Sequence, residues 1–253
     1  MRILTSPAKT LDFETSFTLP APTQPVFLDE AEQLVGKLRS YSEHDIQELM
    51  GVSDAIATRT KEQFVRWQKE HTQNTSRPAI AAYKGDVYRQ IDIKDYTDDQ
   101  VRYLQDTLRI ISGLYGMLRP LDLIQPYRLE MKTKVPSKTG SDLYSFWGSR
   151  LTDYLEEEMG NDTDEFIINV ASQEYNEAVQ FASLPCPVVD IDFKQNKNGK
   201  LRTIGILAKR ARGMMIDYCV RNKVTDREGI KNFNLDGYQL ADEQNDRLVF
   251  VRG

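Results

Sequence analysis

The sequence predicts a single α/β domain built on a mixed sheet with surrounding helices, and three observations carry that expectation. Short runs rich in β-branched and aromatic residues alternate with segments whose apolar residues recur at helical spacing. Apolar runs are spread evenly from Ile3 to Val251, and 253 residues with 40% hydrophobic content suffice for one large core spanning 1–253. Asn198-Gly199, the dipeptide favoured in two-residue hairpin turns, stands between two β-rich runs, so the sheet should contain an antiparallel pair.

Along the chain, Arg2 to Thr5 reads as a strand that Pro7 stops. Leu19 to Pro25 is Pro-rich but too near the N-terminus to separate two cores, and reads as a surface loop. Helical spacing predicts helices at Asp29 to Leu38, His44 to Met50, Asp54 to Lys69, Asp98 to Leu108, Ser149 to Glu158 and Met214 to Arg221. Strands are expected at Phe166 to Val170, Val188 to Phe193, Leu201 to Leu207 and Arg247 to Val251. Between Ile110 and Met131, Gly113 and Gly116 permit close backbone approach, while Pro120 and Pro126 forbid a continuous helix, so this stretch reads as a shaped loop. No internal repeat or low-complexity segment appears.

Several functional classes are excluded at this level. The start is broken too early by Pro7 for a secretory signal, and no apolar run approaches transmembrane length, so a cytoplasmic protein without a membrane partner is expected. Cys186 and Cys219 lack any C-x-x-C pairing, and His44 and His71 are the only histidines, which leaves no disulfide framework, zinc ribbon or His-rich metal site. Neither cysteine has a resolving thiol nearby in sequence, which weighs against peroxide sensing. No cofactor and no metal is expected.

Charge is uneven although the net value is only −5. Seven bases and no acid lie between Lys194 and Ile216: Lys194, Lys197, Lys200, Arg202, Lys209, Arg210 and Arg212. Seven acids and no base lie between Asp153 and Glu165. These tracts are either solvated faces or, for the first, an anion-binding patch.

Three β-rich runs end in small or charged residues: Ser6 to Thr10, Ala171 to Tyr175 and Ala208 to Gly213. Ligands of open α/β sheets bind beyond the carboxyl ends of strands, so these endings could build one site. In the central loop Arg119, Asp122, Arg128 and Glu130 interleave with apolar anchors, either as structural pairs or as forks for phosphate or carboxylate. The segment 42–69 reads as two helices joined by Met50-Gly51-Val52, with a capping box from Ser42 to Asp45 and Ser53 capping the second helix. That is either a plain αα-hairpin, packed through Ile56, Thr60, Phe64 and Trp67, or a helix-hairpin-helix element. In the second case Gly51, Val52 and Ser53 would offer backbone N–H groups to a DNA phosphate, with Arg59 and Lys61 beside them. Asp54 puts negative charge where that phosphate would sit.

The same segments carry a resemblance. Ser6-Pro7-Ala8-Lys9-Thr10-Leu11, Tyr83-Lys84-Gly85-Asp86-Val87-Tyr88, Ser112 to Met131, Leu143 to Trp147, Asn169 to Tyr175 and Ala208 to Met214 resemble the successive signature blocks of the YaaA family of peroxide-stress proteins, nearly end to end. The resemblance implies a cytosolic bacterial protein that helps limit unincorporated iron under hydrogen peroxide, with a mixed α/β fold peculiar to the family. It also implies DNA binding through a helix-hairpin-helix and a basic cleft.

Two functions follow as expectations. One is non-specific DNA binding through Gly51, Val52, Ser53, Arg59, Lys61, Lys194, Lys200, Lys209, Arg210 and Arg212. The other is a pocket for a small anionic ligand formed by Ser6, Lys9, Tyr88, Arg119, Asp122, Arg128, Glu130, Glu174, Lys209 and Arg212, with Lys9 or Glu130 as the catalytic candidates. Direct iron sequestration is disfavoured by the lack of clustered His and Cys.

Overall fold

The computed structural model describes residues 1–15, 18–160 and 165–253. Asp162 and Asp164 of the acidic tract lie outside them. The strands are β1 (Arg2–Thr5), β2 (Thr10–Leu11), β3 (Arg77–Pro78), β4 (Tyr83–Lys84), β5 (Leu108–Ser112), β6 (Gly116–Leu118), β7 (Leu123–Ile124), β8 (Ile167–Asn169), β9 (Val188–Lys197), β10 (Lys200–Arg202), β11 (Tyr238–Gln244) and β12 (Arg247–Arg252). The helices are α1 (Leu28–Arg39), α2 (Glu43–Met50), α3 (Asp54–Arg66), α4 (Ala79–Ala82), α5 (Asp98–Thr107), α6 (Leu143–Trp147), α7 (Arg150–Met159), α8 (Gln173–Asn176), α9 (Gly205–Asn222) and α10 (Arg227–Lys231). Among the described residues no helix is long and apolar enough to cross a membrane.

Eight strands form one mixed sheet in the order β11-β12-β9-β8-β1-β5-β6, with β10 hydrogen-bonded to β9. β5, β1, β8, β9 and β12 run parallel, whereas β6, β10 and β11 join antiparallel. The central strands are sealed on both faces: Ile3 and Leu4 are fully buried, as are Ile110 and Ile111. Such strands read as short apolar runs without alternation. The Asn198-Gly199 turn has positive φ at both residues, 54° and 75°, as a type I′ hairpin requires, and it pairs β10 with β9.

Local capping signals fix several helix starts. Ser42 and Asp45 close the expected capping box on α2, and Thr97 and Gln100 close another on α5. Three expectations need correction. First, the expected strand Leu201 to Leu207 is strand only over Lys200–Arg202, and the chain is helical from Gly205. Ala208, Ala211, Met215, Ile216, Cys219 and Val220 are buried at helical spacing, against β9, α5 and the 3-10 turn Tyr88–Gln90, while Ile206 is 58% exposed. Packing of that stripe overrides the β-leaning Ile204-Gly205-Ile206 run. Second, the stretch Ile110 to Met131 is not one loop, because β5, β6 and β7 lie within or at its start, and Gly116 turns between β5 and β6 at φ 69°. Third, α3 ends at Arg66 rather than Lys69, and its buried face is Ala57, Thr60 and Phe64, with Ile56 38% exposed.

Candidate functional site

The order β5-β1-β8-β9 means that the chain leaves β1 toward one side of the sheet and later returns on the other. The carboxyl ends of β1 and β8 therefore flank the point where winding reverses, the place where open α/β sheets hold ligands. Here the two strand ends are stitched together. The Ser172 amide donates to Ser6 Oγ at 2.8 Å, Ser6 Oγ lies 3.2 Å from Ser172 Oγ, and Tyr88 donates its hydroxyl to the Ser6 carbonyl at 2.9 Å. β2 pairs with β4, setting Lys84 opposite Thr10.

α9 closes the cleft. A Cβ on Gly213 would lie 2.0 Å from the Val87 carbonyl oxygen, so glycine is what allows α9 to rest on the turn after β4. That contact swings Lys209 and Arg212, in the preceding turn of the helix, over the strand ends. The resulting cleft of about 290 Å³ is lined by Thr5, Ser6, Pro7, Ala8, Lys9, Lys84, Val87, Tyr88, Val170, Ser172, Glu174, Tyr175, Lys209 and Arg212, among others.

Its charges are not equally free. Among the described residues Arg212 has no hydrogen bond or ion pair, and its Nε is buried without an acceptor. Burial holds its pKa below the usual arginine value against the opposing charge of Asp192, which is itself paired with Arg247 at 2.7 Å. Thr5, fully buried at the cleft, also leaves its Oγ1 unpartnered. Lys84, in contrast, is tied to Asp12 at 3.0 Å.

The charges of the central loop resolve into two groups. Glu130 is ion-paired with Lys9 Nζ at 2.7 Å and accepts from Arg128 Nη2 at 3.0 Å, with Lys132 Nζ at 3.6 Å. Burial alone would raise its pKa, but the Lys9 hydrogen bond and the three surrounding cations outweigh it and hold the carboxyl below the ordinary glutamate range. Glu130 is thus an ionised anchor with little basicity to offer near neutral pH. Lys9 is 59% exposed and paired, which is not the dry, unpaired setting that activates a lysine nucleophile. Arg119 and Asp122 belong elsewhere. Asp122 is fully buried, accepts from Arg119 Nη2 at 2.9 Å and from Thr23 Oγ1 at 2.6 Å, and clasps the Pro-rich segment.

The other expected site residues divide likewise. Ser6, Lys9, Tyr88, Glu174, Lys209 and Arg212 share the cleft, and Arg128 borders a cavity that shares Lys9 and Thr10 with it. Lys194, Lys200 and Arg210 do not line the cleft. Lys61 donates to the Arg39 and Tyr41 carbonyls at 2.6 and 2.7 Å, fastening the end of α1 to α3. At the α2–α3 turn, the N–H groups of Gly51 and Val52 both go to the Gln47 carbonyl, so they are spent on ending α2, and Ser53 makes no side-chain cap. The geometry there is an αα-hairpin.

Residues that sequence reading did not single out are Thr5, Val87 and Lys84, together with Arg89 and Gln63 in the neighbouring cavities, whereas Ser172 and Tyr175 lie in the expected strand ending Ala171 to Tyr175. The block Tyr83 to Tyr88 carried a signal for two of them, but nothing local marks Thr5 as unpartnered.

The cleft opens into a run of cavities. One of about 190 Å³ contains Lys9, Thr10, Arg59, Gln63 and Arg128. Another of about 410 Å³ contains Thr10, Arg59, Gln63, Lys84, Arg89 and Pro126, with the acids Asp12 and Glu14. A third of about 420 Å³ contains Arg59, Gln63, Arg66, Pro126 and also Glu62. Each cavity shares lining residues with the next, from Lys209 and Arg212 on α9 to Arg59 and Arg66 on α3.

The loop flanking the groove is pinned by a buried network. Tyr115 OH accepts from Trp67 Nε1 at 2.8 Å and from the Gln125 amide at 3.0 Å, so its proton goes to His71 Nε2 at 2.9 Å. His71 then donates Nδ1–H to the Lys69 carbonyl at 3.0 Å, and burial keeps its pKa below the usual value. Among the described residues no group of three or more His, Cys, Asp or Glu side chains is placed to hold a metal. The thiols are equally quiet: burial pushes Cys219 up to about 12 and raises half-buried Cys186. In native protein at pH 7 we expect a thiol reagent such as DTNB to label at most Cys186, slowly, and both thiols after denaturation. Rapid labelling of two thiols would overturn this.

The family model for the peroxide stress protein YaaA matches residues 1–244. A UPF0246 protein of Polynucleobacter necessarius is 43% identical, covering 100% of this chain and 98% of its own length. A UPF0246 protein of Polynucleobacter asymbioticus is 44% identical with the same coverage. With the match running from β1 through β11, across every segment that builds the cleft, this chain belongs to the peroxide stress protein YaaA family.

Proposed function

We propose that the protein serves the peroxide-stress response by holding DNA through its phosphate backbone in the groove from α9 to α3, without reading sequence. The observation that carries this reading is the continuity of the groove: Arg212, Lys209, Lys9, Arg128, Arg59 and Arg66 follow one another along cavities that share residues. An extended polyanion suits such a track better than a compact ligand does. The αα-hairpin contributes through the exposed side of α3 and not through its turn amides. Occupying DNA in this way would keep iron and peroxide from reacting on the phosphates, which connects the groove to the family's stress role and to a cytoplasmic location.

The test is fluorescence anisotropy with duplex DNA bearing 5′-hydroxyl ends. Affinity should fall steeply between 50 and 200 mM salt, about 10-fold or more for even a few phosphate contacts. Arg59→Glu combined with Arg66→Glu should weaken binding roughly 10-fold or more and flatten the salt slope. No binding at 50 mM salt, or affinity unchanged in the double variant, would overturn the reading.

A further inference from the structure

We infer that the cleft between the ends of β1 and β8 and the first turns of α9 is a binding site for a phosphomonoester, with its phosphate on Arg212 and Lys209 and its organic part along Tyr88 and Tyr175. The inference goes beyond backbone contacts to DNA and does not depend on them.

The cleft holds two unmet polar demands on different elements. Arg212 brings a guanidinium to a half-buried position on α9 with no acceptor among the described residues. A buried donor left unpaired is costly, and arginine is the side chain least able to shed its charge, so an anionic partner is what the position lacks. Across the cleft, Thr5 ends β1 with a fully buried hydroxyl that also has no partner. Neither side chain is committed to a neighbour, unlike Arg119, which is paired with Asp122.

The donors select the anion. The Arg212 guanidinium and the exposed ammonium of Lys209, both on α9, and the Thr5 hydroxyl at the end of β1 line the same cleft. A carboxylate presents two oxygens, which the guanidinium alone can occupy, and a phosphodiester also has only two terminal oxygens. A phosphomonoester has three and up to two negative charges, enough for all the donors. The rest of the cleft calls for more than inorganic phosphate. About 290 Å³ approaches the lower range of small-molecule sites, and its walls include Pro7, Val87, Val170 and the two tyrosines. At the rim Glu174 receives the Lys132 amide on Oε1 at 3.3 Å, leaving Oε2 for a hydroxyl or N–H of the ligand. Such a ligand is a nucleoside monophosphate or the 5′-phosphorylated end of a nucleic-acid strand, and the two share the chemistry recognised here.

Isothermal titration of the intact protein separates them. One arm compares adenosine 5′-monophosphate with adenosine, and the other compares a single-stranded oligonucleotide carrying a 5′-phosphate with the same strand ending in a 5′-hydroxyl. We expect at least about a tenfold preference for the phosphorylated member in one or both arms, abolished in Arg212→Met and reduced about tenfold in Lys209→Met. Preference in the first arm identifies a free mononucleotide, and preference in the second alone identifies a strand end. Lys209 is exposed, so its variant keeps the test valid should Arg212→Met fail to fold. Absence of preference in both arms, or a preference that survives in a folded variant, overturns the inference. Because the duplex in the backbone test lacks terminal phosphates, failure of either idea is visible without the other.

Discussion

Replacing Glu158 by alanine is expected to destabilise the protein by about 3–5 kcal/mol, because it strands a buried guanidinium. Arg109 on β5 is 4% exposed, and its Nε and Nη2 donate to Glu158 at 2.6 and 2.9 Å. Its Nη1 is already spent on the carbonyls of Gln105 and Leu108. Glu158 also takes the Tyr154 hydroxyl at 2.6 Å, so the ion pair joins α7 to the sheet through a satisfied network. Removing Glu158 takes the acceptors from Arg109 Nε and Nη2 at a position only 4% exposed. Removing both, as Arg109→Met with Glu158→Leu, should recover most of the loss, since a buried ion pair is often worth no more than an apolar isostere. Urea denaturation of the three variants measures this, and a loss under about 1 kcal/mol for Glu158→Ala would refute the account.

The same pair sets a pH dependence. Burial would raise the Glu158 pKa, but the hydrogen bond and charge of Arg109 outweigh it and hold the group below its ordinary value. A folded pKa below the unfolded one, about 4.3, means that the stabilisation is complete above that pH and is lost as pH falls through the folded pKa. The stability difference between the native chain and Glu158→Gln should therefore be constant near neutrality and shrink under acid. A difference that grows as pH falls would reverse the assigned sign.

Gly213→Ala should be the most damaging small substitution in the site. The added methyl meets the Val87 carbonyl oxygen at 2.0 Å and Gln90 Cβ at 2.9 Å, and backbone cannot step aside as a flexible side chain can. The helix must lift away, at about 1–3 kcal/mol or more, carrying Lys209 and Arg212 off the strand ends. Gly36→Ala in α1 is the matched control. Nothing lies within 4 Å of its added methyl, so it should stabilise by about 0.5–1 kcal/mol through helix propensity. Equal effects of the two substitutions in thermal or urea melts would show that helical glycine alone, and not the Val87 contact, governs Gly213.

Much of the fold was legible in order along the chain. Capping at Ser42, the Asn198-Gly199 turn and the apolar stripes of α1 and α7 are local signals, each complete within a few residues, and the structure keeps them. The reading failed where local preference was ambiguous. Leu201 to Leu207 is β-leaning in isolation, yet only tertiary contact with β9 and the Tyr88–Gln90 turn reveals that Gly205 starts a helix. β5 was hidden for the opposite reason, since a strand buried on both faces has no period to distinguish it from the end of a helix.

The site divides along the same line. Residue types alone singled out Ser6, Lys9, Glu174, Lys209 and Arg212 as candidates for one polar site, and the fold brings them to one cleft. Which charges remain available was decided only by the fold. Glu130 neutralises Lys9, Asp122 removes Arg119, and Arg39 with Tyr41 occupies Lys61, whereas Arg212 Nε and Thr5 Oγ1 have no partner among the described residues. A pairing depends on which distant segments meet, and β1, β8 and α9 come together across more than 200 residues only when the sheet is wound. Sequence therefore set the chemistry on offer, and the three-dimensional packing set what was left unspent.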